Sequence, residues 1–219
     1  MRLLRYLLAL GLLGGVFLAG LYLGITRGVP FQDARDVWSI AIYRGPSPTR
    51  LSDPPGIDNP VLTAASVTDV SADFVADPFM VREGKTWYLF FEVLTRENDQ
   101  GDIGLATSPD GERWSYRKIV LDEPFHLSYP HVFSHDGTWY MIPETHEDRS
   151  IRLYRATSFP EKWAFVTRLR RGHPYLDSSI VRFQDRWWLF TSTLGNNILL
   201  LYHARQLMGP WEHHPRNPL

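Results

Sequence analysis

The chain has 219 residues, of which 44% are hydrophobic and 21% charged, and these ordinary proportions exclude a disordered, collagen-like or multi-span membrane protein. Its 23 basic and 24 acidic residues give a formal net charge of −1, which does not indicate the basic surface that nucleic-acid binding requires. Because the sequence contains no cysteine, it excludes disulfides, thiolate zinc sites and cysteine nucleophiles.

The amino-terminal segment, residues 1–27, predicts a membrane anchor. Twenty residues from Tyr6 to Ile25 carry no charge, and at 1.5 Å rise per residue they match a hydrocarbon core of about 30 Å. Arg2 and Arg5 precede the apolar stretch, so the positive-inside rule keeps the amino terminus in the cytoplasm. A single-pass membrane protein is therefore predicted, with its domain on the periplasmic, lumenal or extracellular side. The alternative is a cleaved signal peptide, for which residues 17–19 make a poor cleavage site.

The rest of the sequence repeats about every 50 residues. Its clearest landmarks are Trp87, Trp139 and Trp187, which are 52 and 48 residues apart. In each unit an apolar run and a further tryptophan follow, at Trp114, Trp163 and Trp211. Each unit has the pattern of four short strands bounded by turns, and no sustained helical period follows the apolar segment. Four strands in a unit of this length, with recurring tryptophans, predict the blades of a β-propeller.

The predicted organisation is the anchor at 1–27 followed by a partial propeller at 28–219. Its blades are expected at about 74–123, 124–172 and 173–219, and residues 36–63 are expected to form part of a closing blade.

The evidence for the closing blade is a likeness between the two ends of the chain. The segment from Trp38 to Tyr43 resembles the third strand of a blade, and Asn59-Pro60-Val61 resembles Asn217-Pro218-Leu219. About 3.6 blades fit into residues 38–219, fewer than the four or more that a ring needs. The chain is therefore expected to be a truncated or split product, and closure by a partner is the alternative.

Four segments of the chain resemble a known family: Ala76-Asp77-Pro78-Phe79, Trp87 to Glu92, Gly101 to Gly111, and Tyr129 to Phe133. They resemble the five-bladed propeller of family-43 glycoside hydrolases and of their arabinanase, levansucrase and invertase relatives. The chain is also similar to the propeller domain at the amino terminus of glucosamine inositolphosphorylceramide transferases and their bacterial counterparts, over residues 36–219. The resemblance implies an all-β, five-bladed propeller, here incomplete and preceded by one transmembrane helix.

The resemblance also implies catalytic roles for two aspartates. In the hydrolase family an aspartate on the innermost strand of the first blade is the general base, and an aspartate two blades later tunes the pKa of the acid. Asp77 and Asp177 stand at these positions, 100 residues or two repeats apart. Ordinary Asp-Pro turn chemistry is the alternative for Asp77.

The general acid of the family is a glutamate one blade later, which by the repeat spacing is expected near position 227, beyond the last residue. Glycoside hydrolysis needs both a carboxylic acid that protonates the leaving oxygen and a carboxylate that activates water or attacks. Glu144 is the nearest substitute within the chain, although it aligns in the repeat with Glu92 and Ser192, at the far end of the second strand.

Three further side chains are candidates for binding a sugar. Tyr129 stands at the position equivalent to the two aspartates and suits hydrogen bonding to a sugar or stacking on it. His131 is expected near the entrance of the central funnel that the inner strands of a propeller surround. Trp188 lies on the strand face opposite to Trp187, whereas the recurring tryptophans are better explained by packing between blades. No H-x-H or H-E-x-x-H spacing is present, so neither a metal ion nor another cofactor is expected.

Three functions remain open. The favoured hypothesis is a membrane-anchored, carbohydrate-binding domain that acts in glycan or glycolipid processing. The first alternative is a family-43 type glycoside hydrolase with Asp77 as its base, and the second is a protein-interaction scaffold. The expected partners are a saccharide or glycolipid, the membrane, and a transferase or missing propeller segment on another chain, but no nucleic acid.

Overall fold

The computed structural model describes residues 38–219. The predicted anchor at residues 1–27 lies outside this range, and no helix within the range is long and apolar enough to cross a bilayer. The described part contains one 3₁₀ turn at Ala64–Ser66 and fourteen strands: β1 Arg44–Ser47, β2 Arg50–Ser52, β3 Ala72–Glu83, β4 Thr86–Thr95, β5 Gln100–Ser108, β6 Ser115–Leu121, β7 Ser128–His135, β8 Thr138–Glu144, β9 Ser150–Ser158, β10 Lys162–Arg171, β11 Leu176–Phe183, β12 Arg186–Ser192, β13 Leu199–Ala204 and β14 Glu212–His213.

Twelve of these strands form three four-stranded antiparallel sheets, in which each strand pairs with the next along the chain. We call them the first blade (β3 to β6), the second blade (β7 to β10) and the third blade (β11 to β14). Tight turns join the first two strands of each blade. In the second and third blades both turn residues have positive φ, as type I′ turns require: Asp136 and Gly137, and Gln184 and Asp185. The all-β class predicted from the repeat is confirmed.

The core lies between neighbouring blades, because successive residues of a strand point to opposite faces of its sheet. On β8, Met141 packs toward the first blade together with Phe90, and Ile142 packs toward the third blade together with Leu189. The recurring tryptophans are part of the same layers, since Trp139 and Trp163 join the first interface and Trp187 and Trp211 join the second.

The described amino-terminal segment covers the other face of the first blade. Ile40 forms an isolated bridge with Leu62, and both side chains are buried against Val75 and Phe91. Only this bridge is present where a whole strand is predicted over Trp38 to Tyr43, because both backbone groups of Ile42 bond to the side chain of Asn59 instead of a neighbouring strand. β1 and β2 form a separate hairpin of mostly exposed residues.

Two asparagines make the same contact at opposite ends of the described chain. The side-chain amide of Asn59 donates to the carbonyl of Ile42 at 2.8 Å and accepts from its N–H at 2.9 Å. Asn217 bonds to Leu201 in the same way, at 2.7 and 2.8 Å. The likeness between these two Asn-Pro segments in the sequence therefore reflects the same pair of hydrogen bonds to the backbone of one residue, 16 or 17 positions earlier in the chain.

Candidate functional site

The innermost strand of each blade contains a residue in the left-handed region, at the same place in the repeat. These residues are Asp77, Tyr129 and Asp177, with φ of 50°, 43° and 49°. In all three strands the pairing register shifts at this residue, which is the signature of a β-bulge. Left-handed backbone is unusual for residues other than glycine, and such strain concentrates at functional sites. The repeated bulge turns all three residues out of the regular ladder at the same end of the sheets.

Acidic side chains connect these bulges from blade to blade. Asp77 Oδ2 accepts a hydrogen bond from the backbone N–H of Tyr129 at 3.3 Å, and Glu144 Oε2 accepts one from the N–H of Asp177 at 3.0 Å. The hydroxyl of Tyr129 lies 3.1 Å from Ser179 Oγ on β11. The structure therefore brings Asp77, Tyr129, Glu144 and Asp177 together at the entrance between the inner strands.

A second buried glutamate occupies the same place in the first blade. Glu92 pairs with Ala76 on β3 as Glu144 pairs with Ser128 on β7. Its Oε1 lies 3.2 Å from His126 Nε2. Sequence reasoning did not select Glu92, although its alignment with Glu144 in the repeat was the available signal.

The tautomer of His126 follows from its other ring nitrogen. Nδ1 accepts a hydrogen bond from the backbone N–H of Gly101 at 3.0 Å, so in the neutral ring the proton is on Nε2, facing Glu92. Burial disfavours the charged ring, but the hydrogen bond to Glu92 and the charges of Glu92, Glu144 and Glu147 outweigh it and raise the pKa of His126. The sequence-based site did not include this histidine.

Two carboxyl groups at the entrance, Glu144 and Asp77, hold their protons more tightly than ordinary carboxyls. Burial, followed by the charge of Asp177, raises the pKa of Glu144 to about 7. Burial, together with the charges of Glu92 and Asp177, also raises the pKa of Asp77. His146 Nδ1 lies 2.8 Å from Glu144 Oε1, and burial and the nearby charge of His126 lower the pKa of His146. Because its pKa is about 7, Glu144 is partly protonated at neutral pH.

Trp188 lies away from the carboxylates of the entrance, whereas His131 packs against Phe79, whose ring also contacts Tyr129. The pKa of His131 is lowered by burial, and in the neutral ring Nε2, 3.1 Å from the carbonyl oxygen of Ile180, donates to that carbonyl. The Trp188 indole donates to the carbonyl of Phe183. Trp188 pairs with Val181, four residues along β11 from Asp177, so the structure does not bring it to the carboxylates.

The arrangement at the entrance suits hydrogen bonding and proton transfer. A carboxyl with a pKa near 7 can hold a proton at neutral pH and donate it, while the ionised carboxyls accept hydrogen bonds from hydroxyl groups. Within residues 38–219 no group of three or more histidine, aspartate or glutamate side chains is placed to hold a metal ion.

Glycoside hydrolases are among the solved structures that are similar to this chain. The GH43 protein BlXynB from Bacillus licheniformis has a TM-score of 0.56 and 16% identity over 74% of this chain and 34% of its own. A family 117 glycoside hydrolase from the marine bacterium Zobellia galactanivorans has a TM-score of 0.53 and 15% identity over 66% and 55%. At these identities the likeness shows the propeller fold alone.

Among curated proteins, the chain is similar to plant enzymes named glucosamine inositolphosphorylceramide transferase 1. It is 38% identical to the one from Oryza sativa subsp. japonica over 95% of this chain and 31% of the relative, and 36% identical to the one from Arabidopsis thaliana over 86% and 27%. The chain thus spans about a third of the length of these relatives. Residues 31–219 match the family model described as glucosamine inositolphosphorylceramide transferase 1, N-terminal. The chain therefore belongs to the family formed by the amino-terminal domains of these proteins.

Proposed function

We propose that this chain is a carbohydrate-binding propeller domain that acts in glycan or glycolipid processing, held at the outer side of a membrane by residues 1–27. The observation that carries the proposal is the set of acidic side chains gathered at the entrance between the inner strands. Its relatives are named as transferases, and the matched part is about a third of their length. We therefore assign to this domain the binding of a saccharide or glycolipid, and assign the transfer chemistry to another segment or chain.

Asp77 supports this assignment because its carboxylate is only partly used by the protein. Oδ2 accepts the N–H of Tyr129, and Oδ1 has no hydrogen-bond donor among residues 38–219. Carboxylates are acceptor-only groups when ionised, and a sugar hydroxyl is a suitable donor. The ring of Tyr129, held edge-on against Phe79 with centroids 4.8 Å apart, adds an aromatic surface beside this acceptor.

The binding proposal can be tested with the full chain purified in detergent. Calorimetric titration with a panel of neutral monosaccharides, amino sugars and oligosaccharides should give saturable binding of at least one of them. Asp77→Asn should weaken that binding about tenfold, the loss of one charged hydrogen bond. Glu83→Gln is the matched control, because Glu83 lies exposed at the far end of the same strand. If Asp77→Asn binds the sugar as tightly as the wild type, the acidic entrance is not the sugar-binding site.

A second candidate function, glycoside hydrolysis, is favoured by the raised pKa of Glu144. In that reaction protonated Glu144 gives its proton to the glycosidic oxygen as the bond to the anomeric carbon breaks. Asp77 takes a proton from the water whose oxygen forms the new bond to that carbon. Release of phenol from aryl glycosides that is lost in both Glu144→Gln and Asp77→Asn would establish this activity. Sugar binding without release of phenol supports the binding role. If no sugar binds and no phenol is released, the protein-interaction scaffold is the remaining hypothesis.

A further inference from the structure

A cavity of about 410 Å³ lies between the second and third blades, and none of the entrance carboxylates is among its lining residues. Its charged and polar lining comes from the end of β10, the following loop and the outer strands of the third blade: Arg170, Arg171, His173, Tyr175, Tyr202 and His213. No carboxylate lines it. Its size is within the range of small-molecule sites.

The positive charge in this cavity is held in place but not neutralised. The guanidinium of Arg170 lies over the ring of Tyr202, 4.4 Å from the centroid. One terminal nitrogen donates to the carbonyl of Trp211 at 3.1 Å, and the other lies 3.5 Å from Nε2 of His213. Within residues 38–219 neither Arg170 nor Arg171 forms an ion pair. An arginine fork fixed in this way is pre-organised for an anion.

Two polar atoms at the cavity are buried and poorly satisfied. Arg170 Nε has no hydrogen-bond acceptor within the described range. The hydroxyl of Tyr175, which is only 2% exposed, has no well-aligned partner besides the neighbouring side chain of Tyr202. A buried donor left unsatisfied costs about 1–3 kcal/mol, so nearly all such groups in folded proteins have a partner. A bound molecule with acceptor oxygens would supply that partner here.

The corresponding place between the first and second blades is filled by the protein itself. There Arg152 lies over Phe125, 4.5 Å from the centroid. It forms ion pairs with Asp148 at 2.7 Å and with Glu123 at 3.5 Å. The hydroxyl of Tyr154 donates to Glu123 at 2.8 Å. A cation, its anions and an aromatic ring thus close this interface.

A shift of 48 residues in the sequence relates the two interfaces. The arginine that fills the interface between the first and second blades, Arg152, and its acidic partners are replaced at the interface between the second and third blades. Tyr202 corresponds to Tyr154, but Leu200 stands where Arg152 would be, and Asn196 replaces Asp148. The acidic pair at 122–123 becomes the basic pair at 170–171. The second interface has therefore lost both its internal cation and its acids, and has gained positive charge.

We propose that this cavity binds an oxyanion, the phosphate group of a small organic ester. The phosphate oxygens accept hydrogen bonds from Arg170, Arg171 and the hydroxyl of Tyr175. The organic part lies against Leu200 and the tyrosine rings. This site is separate from the acidic entrance and does not depend on the function proposed for it.

The test uses the full chain in detergent, titrated calorimetrically with glucose 1-phosphate, inorganic phosphate and glucose. Glucose 1-phosphate should bind saturably and glucose should not. Arg171→Glu should weaken the phosphate ester at least tenfold, and Tyr175→Phe, which keeps the buried ring, should weaken it about threefold to tenfold. Arg182→Glu is the matched control, because Arg182 is an exposed arginine of the third blade outside the cavity.

The arms of the experiment separate the possible sources of the oxyanion. Tighter binding of the ester than of inorganic phosphate supports the proposal as stated, and equal binding of both identifies free phosphate as the ligand of the same oxyanion site. The proposal is overturned if neither phosphate compound binds, or if both bind equally well to Arg171→Glu and to the wild-type chain. Because Arg171 is exposed, its substitution should leave the thermal unfolding midpoint within a few degrees of wild type.

Discussion

Glu144 accepts a hydrogen bond from the backbone N–H of Asp177, and this contact joins the end of the second strand of one blade to the innermost strand of the next. The repeat alone places Glu144 at the far end of its own strand, away from the inner-strand aspartates. Because that strand runs antiparallel to β7, its far end is the same edge of the sheet as the inner-strand bulge. An acid that the sequence offers only as a substitute therefore lies within the acidic entrance.

The raised pKa of Glu144 has a consequence for stability. A carboxyl whose pKa is higher in the folded state than in the unfolded state stabilises the fold at low pH. That contribution is lost as the pH rises from about 4.5 through about 7. Glu144→Gln should therefore show a smaller fall in unfolding free energy between pH 5 and pH 8 than the wild type. Urea unfolding at several pH values measures both slopes.

The control for this experiment is Glu83→Gln, since Glu83 is exposed. It should keep the wild-type slope. An unchanged slope in Glu144→Gln would show that another group, such as Asp77, dominates the titration of the entrance.

Asp148 is expected to contribute strongly to stability. It accepts hydrogen bonds from Arg152 and Arg168 at 2.7–3.0 Å, and these bonds hold the pKa of its carboxyl far below the ordinary range. Asp148→Asn leaves Arg168 without its anion and Arg152 with Glu123 alone, and should lower the unfolding free energy by about 3 kcal/mol. The wild-type contribution should be present above the ordinary pKa of aspartate and should disappear as the pH falls below it.

A matched control for Asp148 is the exposed ion pair between Arg44 and Glu112, in which the arginine side chain is 74% exposed. Glu112→Gln should change the unfolding free energy by less than about 0.5 kcal/mol. Equal effects of the two substitutions in urea unfolding would contradict the expected role of Asp148.

The contact between Asn59 and Ile42 is expected to hold the amino-terminal segment on the first blade. Asn59→Ala removes both hydrogen bonds to the backbone of Ile42, and should lower stability by about 2 kcal/mol. Hydrogen exchange should show faster exchange at Ile40, whose N–H bonds to the carbonyl of Leu62. The control is Asn197→Ala, because Asn197 is exposed and makes one long contact, 3.3 Å, with Thr193. A wild-type exchange rate at Ile40 in Asn59→Ala would rule out this role.

The turn between β11 and β12 offers a stabilising substitution. Asp185 has φ of 58°, and the equivalent turn of the second blade has Gly137 at this place, with φ of 72°. Asp185→Gly removes the steric cost of the left-handed region, and should raise the melting temperature through a gain of about 1 kcal/mol. Asp185→Ala keeps that cost and loses the turn-forming side chain, so it should lower the melting temperature. A lower melting temperature in Asp185→Gly would show that the Asp185 side chain matters more than the backbone strain.

Repeat spacing predicted the all-β propeller class because strand alternation and recurring tryptophans are local features that each blade must carry to pack against its neighbours. The same spacing placed Asp77, Tyr129 and Asp177 on equivalent inner strands. It could not show that His126 faces Glu92, because that contact joins residues 34 positions apart through a loop whose path depends on tertiary packing. The basic cavity was not predicted either, because the sequence alone does not show that Arg152 fills the space between two blades and that Leu200, its equivalent, leaves that space open.

The hydrogen bonds at the entrance fasten one blade to the next, from Tyr129 to Asp77 and from Asp177 to Glu144. A ligand that pulls these carboxylates toward itself therefore moves groups that also bond to the main chain of the next blade. Ligand binding at the entrance and the spacing between blades are consequently linked. A ligand stabilises the blade spacing that leaves its hydrogen-bond acceptors free, and by reciprocity a change in that spacing alters the affinity for the ligand. If the proposed ligand binds at the entrance, its binding is therefore coupled to the contacts between blades without any separate moving part.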